Sequence, residues 1–335
     1  MLKPNTVFVL GAAVSNELNF PLGSELKGQI ANLLPNTSDY TRAQGDFVRA
    51  ASNAVGNAEW LRQCLAVRAG VVRAASIDNL IEHRIGNKAF VDVAKLAIAG
   101  VIGAKDKSLS LDISPPTYQA IFSLMVGGCG VGQIVEALNR VSFITFNYDR
   151  SLEIFLRGAL MAYCGFNEAK AAELVGGMKI HHVYGFLGTL PSTYPGPNHD
   201  PLLARELADM AAGLKTFSEE HDTAAGEALK DLMDQAQQLI VLGCALHPRN
   251  MQLLTPRIAN FKSMYATQYV PAPADKSEHS KPPITDFAIP AINAFRTALF
   301  QWQNKRSDRI SFQDVTVEPL TCVQMVVKYG SSWLA

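Results

Sequence analysis

The sequence predicts an α/β fold built on a parallel sheet, and three observations carry that expectation. Residues 7–10, 141–146 and 238–242 are short, largely apolar or β-branched runs, the pattern of strands buried on both faces. Each runs directly into small or polar residues: Gly11-Ala-Ala-Val-Ser15, Asn147-Tyr-Asp149 and Gly243-Cys-Ala245. Long Ala-rich stretches with apolar residues near helical spacing fill much of the chain between the first two. The arrangement that accommodates all three is a Rossmann-like parallel sheet with helices on both faces and a helical insertion at about 40–140.

Taken in order, residues 7–10 form the first strand, residues 11–15 a turn, and a helix starts near Leu22. A strand, a small-residue turn and a helix make a cradle into which a phosphate backbone can come close. Residues 42–55, 58–75 and 88–102 read as helices, and Ser76 reads as the N-cap of a further one in Ala75-Ser-Ile-Asp-Asn-Leu-Ile-Glu82. Pro115-Pro116 breaks the run before another helix, and the glycines of 127–132 make a turn into the central strand. The simple reading of Asp149 is the N-cap of a helix over 151–163. A third strand follows at 178–185, where alternation puts Ile180, His182 and Tyr184 on one face and His181 and Val183 on the other. A Pro-rich loop at 191–201, a helix at 219–238 and the strong strand at 238–245 complete the sheet. These elements make one domain over residues 1–270. Residues 271–335 read as a Pro-rich linker, a helix from Ile292, and one or two strands around 310–317 and 321–327.

Composition narrows the function classes. With 335 residues, 48% of them hydrophobic, the chain can bury a large core. The formal net charge of 0 gives no global basic field for nucleic acid. The five cysteines are scattered and contain no C-x-x-C pair, which argues against a disulfide framework and a four-cysteine zinc site. No apolar run reaches membrane-spanning length, and the apolar start is better explained by a buried strand than by a signal peptide, so a cytoplasmic setting is expected. The dehydrogenase fingerprint G-x-G-x-x-G is absent after the first strand. Gly23-Ser-Glu-Leu-Lys-Gly28 lacks the Lys and Ser/Thr that a P-loop requires next, because Gln29 and Ile30 stand there.

Four strand ends therefore carry the chemistry: Gly11-Ala-Ala-Val-Ser15, Asn147-Tyr-Asp149, His182-Val-Tyr-Gly185 and Gly243-Cys-Ala-Leu-His-Pro-Arg-Asn250. In a parallel sheet all four converge on one edge, where ligands bind. In this order, with Phe20-Pro-Leu-Gly23, Ser76-Ile-Asp-Asn-Leu-Ile-Glu82 and Thr145-Phe-Asn-Tyr-Asp149, they resemble the SIR2-like family over about residues 7–250. Within it they are most similar to the zinc-free bacterial branch that consumes NAD in defence against phage.

The resemblance implies an NAD glycohydrolase that releases nicotinamide and ADP-ribose, with NAD as substrate and no metal. It implies Gly11, Ala12, Ala13 and Ser15 at the pyrophosphate, Asp149 and Tyr184 beside the ribose, Gly243 and Asn250 near the adenosine end, and Asn147 and His182 in catalysis. Asn147 can orient a ribose hydroxyl and a water. In the family's deacylases the histidine directly precedes the glycine, but here Tyr184 stands there, a poor base with a reference pKa of about 10. His182, two residues earlier on the same strand face, is then the expected base. A homo-oligomer, or a separate sensor or ATPase protein, is expected to gate the activity. Two other readings stand beside it: a non-catalytic NAD or ADP-ribose binding module, and a protein deacylase, which the missing zinc cysteines disfavour.

Overall fold

The computed structural model describes residues 2, 5–37, 40–41, 44–221, 224–245, 250, 253–254, 263–267, 314–318 and 320–334. Six strands form one sheet: β1 (Thr6–Leu10), β2 (Val141–Thr145), β3 (Lys179–His182), β4 (Gln238–Leu242), β5 (Ser263–Thr267) and β6 (Asp314–Glu318). Their order is β3-β2-β1-β4-β5-β6, and every neighbouring pair is parallel. All five residues of β1, β2 and β4 are buried, which is why these segments read as largely apolar or β-branched runs instead of alternating ones. The chain steps from β1 outward to β2 and β3, then returns to the other side of β1 for β4. The loops after β1 and β4 leave the sheet at this reversal, where parallel sheets open a crevice beyond their carboxyl ends.

The helices are, in chain order, α1 (Ala12–Ser15), α2 (Gly23–Leu33), α3 (Gly45–Val55), α4 (Trp60–Val71), α5 (Ile77–His83), α6 (Lys88–Asp106), α7 (Pro116–Val126), α8 (Ile134–Asn139), α9 (Ser151–Cys164), α10 (Glu168–Gly176), α11 (Ala204–Ala212), α12 (Phe217–His221), α13 (Ala224–Gln235) and α14 (Cys322–Leu334). Side chains of α2–α6, α11 and α13 pack with Val7, Val9, Ile144 and Val241 on one face of the sheet. Side chains of α7–α10 and α14 pack with Phe8, Leu10, Phe143 and Ile240 on the other. The expected insertion of 40–140 is therefore split between faces. Its first helices cover one side; α7 and α8 cover the opposite one. α6 is the axis of the first group: Phe90, Val93, Ala94, Ala97 and Ile98 recur at helical spacing and are all buried.

Four details differ from the expected elements. Residues 11–15 are not an open turn: Ala12–Ser15 closes one helical turn, continued by a 3₁₀ turn over Asn16–Leu18. β5 has a mixed composition, Ser-Met-Tyr-Ala-Thr, which gave no strand signal. The segment 321–327, expected as a strand for its valines, begins α14; its buried residues Cys322, Met325, Val326 and Trp333 repeat with helical period. β6 overlaps the strand expected near 310–317 and pairs with β5, so the C-terminal segment completes the same sheet. The linker at 271–283 and the helix expected from Ile292 lie outside the described residues. Among the described residues no single helix is long and apolar enough to cross a membrane.

Candidate functional site

Two glycines set the geometry of the crevice. Gly11 directly follows β1 and its N–H donates to Leu242 O at 2.9 Å. A Cβ at Gly11 would stand 2.4 Å from Gly243 O and 2.6 Å from the Cys244 Cα, so no other residue fits where the two loops cross. Gly243 has φ +67°, a left-handed conformation that glycine adopts without penalty, and a Cβ there would press on Ala13 and Val14 N at 3.0 Å. Its N–H donates to Thr267 Oγ1 at 2.8 Å, which ties the crossing to β5.

A cavity of about 390 Å³ lies on this edge, within the range of about 300–1,000 Å³ usual for small-molecule sites. Gly11, Ala12, Ala13 and Ser15 line it from the turn after β1, and Asn147 and Asp149 from the turn after β2. Tyr184 reaches it from the loop after β3, and Gly243 and Asn250 from the segment after β4. Nine of the ten residues singled out from sequence thus border one space. The first turns of α2 and α5 also border it through Gly23, Ser24, Ser76 and Asp78. Helix N-termini carry partial positive charge, which favours an anion in the space between them. Lys27 lies on the same wall, with Nζ held on Ala74 O at 2.7 Å.

The tenth residue is elsewhere. β3 ends at His182, and the chain turns through Gly185, whose φ is +67° and whose N–H donates back to His182 O at 3.1 Å. The alternation expected to run on to Tyr184 stops there. His182 pairs in register with Thr145, faces α9, and is not among the residues lining the cavity; Tyr184 is carried to the other side and is. The expectation that both share one pocket is corrected by this early end of the strand.

Asn147 is held from three directions. Its N–H donates to Thr145 Oγ1 at 3.1 Å, and its Nδ2 donates to Gly11 O at 3.1 Å and to Ser15 Oγ at 2.8 Å. Because a carbonyl only accepts, the Gly11 contact fixes which end of the amide carries the hydrogens. Ser15 Oγ passes the chain on to Asp149 Oδ1 at 3.2 Å. Asp149 Oδ1 also accepts from the Ser151 N–H at 3.1 Å and from the Ser151 hydroxyl, so Asp149 serves the helix start as well as the cavity. Ser151 Oγ in turn meets the buried Tyr118 Oη at 3.0 Å. Burial pushes the Asp149 carboxyl up to about 6, with the charge of Asp106 adding to it against the hydroxyl and N–H donors.

Several supporting groups had no sequence signal because they are far apart in the chain. Asp106, at the end of α6 and fully buried, accepts from Arg150 N at 2.7 Å and from Arg150 Nε at 3.0 Å. This clamps the Asn147–Asp149 loop to the insertion. Asp78 accepts from the Tyr148 hydroxyl, which brings α5 against the same loop. Tyr184 Oη donates to Asn250 Oδ1 at 2.8 Å and its ring packs 6.0 Å from Phe146, bridging the loops after β3 and β4. Ser76 Oγ does accept from Asn79 N, at 3.0 Å, as a capping serine should.

No protein-family model, no curated protein and no solved structure matches the chain.

Proposed function

We propose that the carboxyl-edge cavity binds NAD and hydrolyses its nicotinamide–ribose bond, giving ADP-ribose and nicotinamide. The observation that carries this reading is the convergence of Asn147, Asp149, Ser15 and the Gly11–Gly243 crossing on one cavity at the topological switch point. The small residues of the crossing let a pyrophosphate come close, and the adjoining helix starts supply the partial positive charge that suits it. The amide of Asn147, with its hydrogens already engaged, presents its oxygen as an acceptor for a ribose hydroxyl or a water. The aromatic wall of Phe146, Tyr148 and Tyr184 suits a flat ring and excludes water from the bond being broken. In a bacterial cell such an enzyme would deplete NAD, which fits an effector of abortive anti-phage defence gated by self-assembly or by a separate sensor or ATPase.

A second reading, a non-catalytic NAD or ADP-ribose binding module, is favoured by one observation: the expected base, His182, does not line the cavity. One experiment separates the two. The purified chain is incubated with NAD, nicotinamide release is followed by chromatography, and ADP-ribose binding by calorimetry. Release of nicotinamide is expected. Binding without release would support the module, and neither binding nor release would overturn both.

A further inference from the structure

We propose, on the reading that the site cleaves NAD, that two roles are exchanged in this chain: Asp149 is the proton acceptor, and His182 is a positioning residue that holds the Asn147 backbone.

The chemistry of His182 follows from its partners. Its Nδ1 lies 3.0 Å from Asn147 O, and a carbonyl can only accept, so Nδ1 carries a hydrogen. Its Nε2 lies 2.8 Å from Glu153 Oε1 on α9, and an ionised carboxylate can only accept, so Nε2 carries one too. Burial works to lower the histidine, but the Glu153 charge and hydrogen bond, with the Asn147 carbonyl and the Asp149 charge, together outweigh it and raise it. Burial likewise works to raise Glu153, and the charge and hydrogen bond of His182, a backbone donor and the charge of Arg150 together outweigh it and lower it. Both directions describe an imidazolium–carboxylate pair. The ring also stacks on Phe186, with centroids 4.7 Å apart. An imidazolium with both N–H groups engaged has no lone pair for a proton, and His182 does not reach the cavity. What it does reach is the carbonyl of Asn147.

Asp149 has the opposite arrangement. Its Oδ1 takes three donors, from Ser15 and twice from Ser151, while Oδ2 has no hydrogen-bond partner among the described residues. Asn147 is similar: Nδ2 is engaged twice and Oδ1 has no partner among the described residues. Both side chains line the cavity. The turn after β2 therefore presents two unpaired acceptor oxygens to one space. A water has two hydrogens to give, and this pair can hold it by both. The charged and titratable groups around Asp149 are Asp106 on α6, paired with Arg150 beside it, Tyr118 on α7, Glu153 on α9 and His182 on β3. Their balance leaves Asp149 titrating within reach of neutral pH, as a general base requires.

The step balances. The water gives a proton to Asp149 Oδ2 and its oxygen bonds to the anomeric carbon of the ribose. The bond from that carbon to the nicotinamide nitrogen breaks, and its electron pair leaves with the nicotinamide and cancels the ring's positive charge. Asp149 later returns the proton to solvent, so NAD⁺ and water become ADP-ribose, nicotinamide and H⁺.

The test uses the full chain with Asp149→Asn, His182→Gln and His182→Ala, assayed with NAD across pH 4.5–8.5. Asp149→Asn is expected to lower kcat by about 10²-fold or more while ADP-ribose affinity stays within a few-fold. His182→Gln, which keeps a donor for the Asn147 carbonyl, is expected to retain roughly a tenth or more of kcat and the acid limb of the pH profile; His182→Ala loses more of kcat with little change in KM. Near-normal turnover in Asp149→Asn, or disappearance of the acid limb in His182→Gln, would overturn the exchange. A wild-type chain that neither binds ADP-ribose nor releases nicotinamide would overturn the NAD reading, and the acceptor role with it. The His182 assignment is then decided separately by nitrogen-15 ring shifts: both ring nitrogens protonated at pH 7 supports it, and one bare nitrogen overturns it.

Discussion

The two edges of the central sheet are both polar and both buried, yet they are built for different purposes. At the amino edge Thr6, Gln238 and Ser263 stand in register on β1, β4 and β5. Thr6 Oγ1 donates to Gln238 Oε1 at 3.3 Å, and Gln238 Nε2 donates to Ser263 Oγ at 3.2 Å. The ladder lies among neighbouring strands, borders no part of the cavity, and locks register. At the carboxyl edge Ser15, Asn147, Asp149 and Ser151 form a longer network that includes a titratable carboxyl and stops short of pairing every oxygen. Burial with complete pairing supports the fold. Burial with acceptors left open toward a cavity is a cost that function explains.

Substitutions at the two edges should separate accordingly. The largest effect is expected for Asn147→Ala, which removes the cavity-facing oxygen: NAD turnover should fall by at least about 10²-fold, with the circular dichroism spectrum unchanged. Undiminished turnover would remove Asn147 from the chemistry. Asp106→Ala comes next, because it takes the carboxylate away from the half-buried Arg150 guanidinium and an acceptor away from the Arg150 N–H. A loss of about 3–5 kcal/mol is expected in urea denaturation, and a loss under 1 kcal/mol would show that the clamp is dispensable. Gly11→Ala forces a Cβ toward Gly243 O at 2.4 Å, and overpacking of that kind costs roughly 1–3 kcal/mol. Thermal unfolding and nicotinamide release should both suffer.

The Asp149 carboxyl makes the carboxyl edge sensitive to pH. Its folded value of about 6 lies above the ordinary aspartate value of 3.8, so between these values the folded chain binds the extra proton, and stability falls as pH rises. The cost present above about pH 6 is roughly 2–3 kcal/mol. Asp149→Asn should therefore be more stable than the wild type at pH 7 and lose that advantage toward pH 4; a constant difference across this range would contradict it. The smallest effect is expected at the amino edge. Ser263→Ala leaves the Gln238 amide short of one partner and should cost about 1 kcal/mol with turnover unchanged. A catalytic defect there would erase the distinction between the edges.

How much of this was legible beforehand follows the physics of each residue. Strands buried on both faces advertise themselves as apolar runs, so β1, β2 and β4 are readable; β6 overlaps a strand the sequence predicts, while β5, Ser-Met-Tyr-Ala-Thr, carries no strand signal. Residues next to strand ends are placed by chain connectivity, which is why Ser15, Asn147, Asp149 and Gly243 could be assigned to one edge. Ser76 was readable because a cap acts over three residues. The pairing of Asp106 with Arg150, 44 residues apart, and of His182 with Glu153 was not, because nothing local to either partner records the other.

His182 and Tyr184 show where local reasoning ends. The order of residues places a histidine and a tyrosine two positions apart at the end of a strand. Which of them meets the cavity was decided by the strand stopping at His182 and by the left-handed turn at Gly185. One residue of strand length moves a side chain to the opposite face, and that length depends on how far β2 continues beside β3. In the same way, the glycine at position 11 is visible in the sequence. Its necessity appears only when Gly243, brought to its side by the β1–β4 pairing, occupies the space a Cβ would need.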